Sequence, residues 1–146
     1  MTVRAGFEVM PVMGAFHELV GPVYMKRHDA MLVAGIIVEA RHCNLAGKLH
    51  GGMLATMIDS AFAYVARDTQ DPPVRGVTTT FSIDFMGSAE IGQWIEAHID
   101  VVRAGRRVVF LNCFVWCEGQ RIARASATFQ IVGPYEDNHL QGVRPA

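Results

Sequence analysis

The stretch richest in possible chemistry runs Asn44-Leu45-Ala46-Gly47-Lys48-Leu49-His50-Gly51-Gly52, followed after six residues by Asp59. His50, Gly51 and Gly52 stand where a helical apolar pattern begins, so they precede or open a helix. The first turn of a helix leaves backbone N–H groups without intrahelical partners, and the helix dipole adds partial positive charge there. Glycine lacks a Cβ, so a substrate can lie directly on those N–H groups. A developing oxyanion needs this arrangement, and one such donor is worth about 2.7 to 4 kcal/mol in a transition state. Asp59 lies more than two turns further on, about 12 Å at about 1.5 Å per residue. Within one chain it is too far away to work on the same carbonyl. If two copies pack helix to helix in antiparallel fashion, Asp59 of one comes close to Gly51 of the other. The spacing therefore predicts a dimer.

The elements that must hold these residues emerge from periodicity. Met31 to Ala40 is β-branched and apolar and reads as a strand, and His42 to Lys48 is irregular, with Asn44 and Gly47 as turn residues. From Gly51 to about Arg67, Met53, Leu54, Met57, Ile58, Ala61, Phe62 and Val65 form one broad apolar helical face. Asp59 falls about 140° from Leu54 at about 100° per residue, just off that face. Its neighbours on the wheel are Ala55, Ala63 and Ala66, small residues that another segment can approach. Pro72 and Pro73 end the helix. Gly76–Met86, Gly92–Arg103, Arg106–Cys117 and Gln120–Val132 read as strands, the last three an antiparallel meander. Ala104-Gly105 and Glu118-Gly119 lie where tight turns belong, glycine tolerating the positive φ they need. Residues 14–26 read as a short helix interrupted near Gly21-Pro22. The polar tail from Gly133 to Ala146 is expected to be peripheral and loosely ordered. One long apolar helix with about five strands, four of them consecutive, makes an α+β layer in which a curved antiparallel sheet covers the helix.

Composition bounds the rest. The 146 residues fit one domain. Hydrophobic residues make up 51 % and charged residues 18 %, so part of the apolar excess in so short a chain is expected between subunits; a plainly apolar core is the simpler alternative. A net charge of −1 gives no reason to expect nucleic acid or an anionic membrane as partner. No stretch has the pattern of a signal peptide or the roughly 20 apolar residues of a membrane span. Cys43, Cys113 and Cys117 form no C-x-x-C pair, which argues for a reducing cytoplasm and against a disulfide framework or zinc site. Cys113 and Cys117 would share one strand face as small hydrophobes. His17, His28, His42, His98 and His139 show no metal-ligand spacing. Met13, Met25, Met31, Met53 and Met57 read as core.

The spaced pattern N-x-x-G-x-x-H-G-G-x₆-D resembles the signature of hotdog-fold acyl-CoA thioesterases of the phenylacetic-acid-degradation type. The similarity continues through Ile58-Asp59-Ser60-Ala61-Phe62-Ala63-Tyr64, Gly76-Val77-Thr78, Met86-Gly87-Ser88-Ala89, Gly92, Arg103-Ala104-Gly105-Arg106 and Ile122-Ala123-Arg124-Ala125. It spans roughly residues 19 to 132, with the N-terminal helix and the tail peripheral. The resemblance implies a hotdog fold of five to six strands wrapped around one helix. It implies Asp59 as general base or nucleophile, the Gly51 N–H as oxyanion donor, and Asn44 and His50 as polar residues fixing the thioester end and the lytic water. Thr78 would help hold that water. Coenzyme A would lie near Gly52, near Met86, Gly87 and Ser88, and near Arg103, Gly105, Arg106 and Arg107, whose guanidinium groups suit its phosphates. Asp59 and Thr78 would come from one protomer, and Asn44, His50 and Gly51 from its partner, in a homodimer or dimer of dimers. No metal or cofactor is implied beyond the coenzyme A of the substrate.

Each residue also has a plainer reading: Asp59 as a solvated carboxylate, His50 as a helix cap, Asn44 as a turn residue, Gly51 and Gly52 as chain-turning glycines. Thr78 could serve only the strand, and the arginines could be merely solvated. Two rival functions stand beside thioester hydrolysis. A hydratase or dehydratase on this fold would carry a motif such as D-x-N-P-x-H, which the sequence lacks. A non-catalytic acyl-CoA-binding module would have less use for the carboxylate.

Overall fold

A computed structural model describes residues 2–136. Its strands are β1 (Glu8–Val9), β2 (Tyr24–His28), β3 (Met31–Ile37), β4 (Val74–Phe85), β5 (Trp94–Ala104), β6 (Val108–Cys117) and β7 (Gln120–Pro134). Two α-helices accompany them, α1 (Ala15–Val20) and the long α2 (Gly51–Arg67). All strands join one antiparallel sheet in the order β1-β2-β3-β5-β6-β7-β4, which wraps one face onto α2.

The α+β architecture read from the sequence is present, with seven strands rather than five or six. The extra ones lie in the N-terminal segment. The short helix read over 14–26, with its interruption near Gly21-Pro22, stops at Val20 and does not resume; Tyr24–His28 pairs instead with β3, Tyr24 facing Gly35 and His28 facing Met31. The glycine and proline at 21 and 22 end the helix rather than merely kinking it, and an available sheet edge makes the next residues extended. Gly133 and Pro134 belong to β7, so the expected loose tail begins later than Gly133; residues 137–146, His139 among them, lie outside the described residues.

The period-2 alternation of β5, β6 and β7 puts Ile95, Ala97, Ile99, Val109, Leu111, Cys113, Val115, Ala123, Ala125, Ala127 and Phe129 on the helix side. Against them α2 buries Met53, Leu54, Met57, Ile58, Ala61, Phe62, Tyr64 and Ala66; Val65, expected on that face, is only half-buried. The ring of Phe62 is central, 6.0 Å from Phe81 and 6.4 Å from Phe129 between centroids. Cys113 and Cys117 are buried on this inner face, and burial pushes the Cys113 thiol up to about 12.

The turns divide. Glu118 and Gly119 both take positive φ, 49° and 76°, in a two-residue turn of the kind that favours glycine. Gly105 does not: it lies outside the positive-φ set, and its N–H donates to the Val108 carbonyl at 2.8 Å. A side chain there would meet that same carbonyl oxygen at 3.0 Å, so close packing rather than φ requires the glycine.

α1 is moored by His17, which is buried, accepts a hydrogen bond at Nδ1 from the Met13 N–H (3.3 Å), and has its pKa lowered by burial. A histidine held neutral in the fold contributes its full stabilisation above its unfolded pKa. That contribution is lost as acidification lets the unfolded chain take up the proton first. The wild-type unfolding midpoint is therefore expected to fall as pH drops below about 6.5. Urea titrations of His17→Met across that range should show a shallower pH slope.

Candidate active site

The site is assembled from the loop before α2, the first three turns of that helix, and the edge strand β4. The loop is held on both sides. His42 is buried, with Nδ1 accepting from the Glu39 N–H (3.1 Å) and Nε2 against the Val20 carbonyl (2.8 Å). An accepting Nδ1 fixes the proton of the neutral ring on Nε2, which then donates. Arg41 donates to the carbonyls of Leu19 and Gly21 beside it. The His42 carbonyl accepts the His50 N–H at 2.8 Å, and on the other side the Leu49 N–H donates to Ala89 at 2.8 Å. His50 thus enters the helix from a clamped backbone. Neither His42 nor Arg41 carries a motif signal; only the fold shows that they anchor the site.

His50 is the N-cap of α2, its Nδ1 accepting the Gly52 N–H at 2.8 Å. The capping reading of His50 therefore holds in this chain, and the Gly52 N–H is committed to it. The Gly51 N–H has no hydrogen-bond partner among the described residues, which leaves it an open donor at the positive end of a 17-residue helix. Asn44 is a turn residue: its Oδ1 accepts from Ala46 N–H (3.0 Å) and Lys48 N–H (3.2 Å). Its amide NH₂ is not used by that turn.

Asp59 is half-buried, and the Thr78 hydroxyl donates to its Oδ1 at 2.7 Å. That contact depends on a break in strand alternation. Thr80 pairs with Thr128 on the outer face, yet Thr78 pairs with Phe129 on the inner one, because Thr79 is an extra residue between them. Thr79 secures the bulge by donating its hydroxyl to the Thr128 carbonyl at 2.9 Å. Without it, Thr78 would share the outward side of Thr80. Three consecutive threonines conceal this in the sequence.

Asp59 and Thr78 line a cleft of ≈ 300 Å³ with Ala55, Thr56 and Phe81. A larger hollow of ≈ 440 Å³ lies toward the outer sheet face around Phe110, Asn112 and Ser126, without a carboxylate or imidazole among its lining residues. The Asp59 carboxylate lies in the smaller one.

The remaining candidates split into two groups. Met86, Gly87 and Ser88 lie at the start of α2, where Met86 and Gly87 N–H groups donate to the Ile122 carbonyl (2.8 and 3.0 Å). Arg103, Gly105, Arg106 and Arg107 lie beyond the opposite end of α2, where the Gln70 side chain donates to the Arg106 carbonyl at 3.0 Å. The three arginines are exposed and make no ion pair among the described residues. One chain does not bring the two groups together, since a helix of 17 residues between them is about 25 Å long. Among the described residues no cluster of histidine, cysteine or carboxylate side chains could hold a metal, and no helix is long and apolar enough to cross a membrane.

A curved antiparallel sheet around one long helix is the hotdog fold, and the family and relatives that the chain matches make it a thioester hydrolase. The chain belongs to the thioesterase superfamily, whose family model matches residues 46–124. It is 32 % identical to a Pseudomonas aeruginosa protein provisionally named an esterase, over 90 % of this chain and 98 % of that one. It is also 32 % identical to acyl-coenzyme A thioesterase 13 of the mouse, over 56 % of this chain and 57 % of that protein. Among solved structures, a mutant of the phenylacetic acid degradation protein PaaI from Thermus thermophilus superposes with a TM-score of 0.71 at 26 % identity, covering 80 % of this chain and 98 % of that one.

The Thr78–Asp59 bond yields a test. Thr78→Val removes a donor to a carboxylate, a bond worth about 1.5 kcal/mol or more. Thioester hydrolysis is expected to slow about tenfold or more, with Thr78→Ser near wild type. Steady-state thiol release measures both.

Proposed function

We propose that this protein hydrolyses acyl-CoA thioesters to the free acid and coenzyme A, with Asp59 as the reacting carboxylate and the Gly51 N–H as the oxyanion donor. The observation that carries this reading is the carboxylate of Asp59, oriented by the Thr78 hydroxyl in a small cleft on the helix that also offers an open N–H. The thioester carbonyl is electrophilic and the thiolate leaves readily, so positioning, one oxyanion donor and one carboxylate suffice. Water, activated by Asp59, or Asp59 itself adds to the carbonyl carbon. Negative charge develops on the carbonyl oxygen against the Gly51 N–H, and the C–S bond then breaks. Where Asp59 adds first, water releases the acid from it in a second step. His50, engaged through Nδ1, has its other ring nitrogen free to orient the thioester end or the lytic water. The unused NH₂ of Asn44 serves the same end.

We infer further that the working unit is a homodimer. Asp59 and Gly51 are separated along one rigid helix, whereas an antiparallel copy brings each to the other's partner group. Strand β4 supports this. It is the terminal strand of the sheet, and eight of its twelve residues are exposed, Val77 and Phe85 among them. A long edge with apolar exposure is a surface that folded proteins ordinarily cover. The same antiparallel copy would bring the Arg103–Arg107 hairpin of one subunit toward the Met86–Ser88 segment of the other, giving coenzyme A both of its expected contact regions. That subunit-shared arrangement is the reading we give to the split between the two groups.

Two measurements test these proposals. Asp59→Asn is expected to fold and bind acyl-CoA but to lose turnover by at least about a thousandfold, as when an essential catalytic group is removed. Undiminished thiol release across a panel of acyl-CoAs would remove Asp59 from the mechanism. In the second experiment, Asp59→Asn and Gly51→Val chains are co-expressed. Each mixed dimer then holds one site with both groups intact, so activity is expected to return to about a quarter of wild type, although each variant alone is inactive. No recovery in a verified mixed dimer would place the two groups in one subunit.

A further inference from the structure

The open Gly51 N–H has a neighbour that the catalytic reading leaves without a task. Phe85, the last residue of β4, places the tip of its ring against Gly51: a Cβ built on Gly51 would lie 3.0 Å from its Cζ and 3.2 Å from its Cε1. The strand end that carries this ring is fixed. Phe85 pairs with Ala123, and the next two residues both donate to the Ile122 carbonyl. Gly87 is packed so closely on Ile122 that a Cβ there would meet Cγ2 at 3.1 Å. Yet Phe85 itself is 52 % exposed in the single chain, so a large apolar surface lies beside an uncommitted donor of the helix start. Core packing accounts for the buried half of that ring. It does not account for the exposed half, or for a ring tip so near Gly51 that a Cβ there would lie 3.0 Å from it.

We propose that Phe85 is a positioning residue for thioester hydrolysis: its ring walls the Gly51 N–H, seats the thioester carbonyl on it, and excludes water from the oxyanion. This inference rests on the function proposed above. The physical basis is twofold. A hydrogen bond to developing charge strengthens when water is displaced by an apolar wall. A carbonyl pressed from one side also has fewer orientations in which to miss its donor. The contact explains Gly51 from a second direction, because any side chain at 51 would displace the ring as well as block the substrate. The wall is apolar and uncharged, which suits a neutral thioester and its flanking methylenes rather than a phosphate.

The test is a double-mutant cycle on Gly51 and Phe85, with kcat and KM followed separately for one acyl-CoA. Phe85→Ala is expected to lower kcat by up to about 100-fold, the scale of a displaced reacting group, with KM changed by less than about threefold. Phe85→Tyr restores kcat to within about threefold, because the same ring returns. Gly51→Ala slows wild type strongly but costs less in the Phe85→Ala background, since the ring it displaces is already absent and only the block to the substrate remains. Fully additive losses, or an unchanged kcat in a folded Phe85→Ala protein, would overturn the proposal. Thermal midpoints within a few degrees of wild type exclude a merely structural loss. If Asp59→Asn abolishes turnover while Phe85→Ala does not, only the role of Phe85 fails. If wild type releases no thiol from any acyl-CoA, the underlying function fails instead.

Discussion

An α-helix is a ruler, and α2 sets the distance that the rest of this protein must accommodate. Gly51 at its start and Asp59 two turns later cannot converge on one carbonyl, because hydrogen bonding along the helix fixes the rise per residue. The helix is also buried along most of its circumference, so it cannot bend or unwind to bring them together. What remains adjustable lies around it: which strand runs beside Asp59, what clamps the loop before Gly51, and which edge is left open to a second copy. The proposed function uses all three.

The sheet meets this constraint with local irregularity. The Thr79 bulge turns Thr78 inward and supplies Asp59 with a donor, while Thr80, one residue further on, remains outside. At the helix start, His42 and Arg41 hold the approach from the α1 side, and the Ala89 carbonyl holds it from the other. A helix N-terminus is a useful donor only if its N–H groups stay where they are, and a loop tied at both flanks loses its conformational freedom during folding rather than during reaction. His50 contributes by committing the Gly52 N–H, while the Gly51 N–H before it stays open.

The outer surface is built for a different purpose. Glu96 receives Arg4, Trp94 and His98 (3.1, 2.9 and 3.1 Å), and those partners hold its carboxyl below the usual range against the opposing effect of its own burial. Trp94 lies over Gly35, where a Cβ would be 2.2 Å from its ring, with Phe7 packed edge-on at 5.0 Å. These contacts fasten the N-terminal strands to the sheet, away from the helix face that carries Asp59. These outer-face contacts and the candidate chemistry thus occupy different faces of the sheet.

Composition and periodicity determined much by themselves. The apolar spacing from Met53 to Phe62 required a helix, the β-branched runs after Pro73 required strands, and the glycines before the helix marked its start, because these signals act through neighbouring residues. The spacing of Gly51 and Asp59 carried the dimer argument for the same reason. Tertiary structure alone decided that Tyr24–His28 is a strand, since a nearby sheet edge supplied the hydrogen bonds that chose it. It also decided that Thr78 faces inward, that Phe85 rests on Gly51, that His42 moors the loop, and that the arginine hairpin stands at the far end of the helix. Each of those depends on residues many positions apart meeting across the fold, and no local pattern records where a distant backbone will lie.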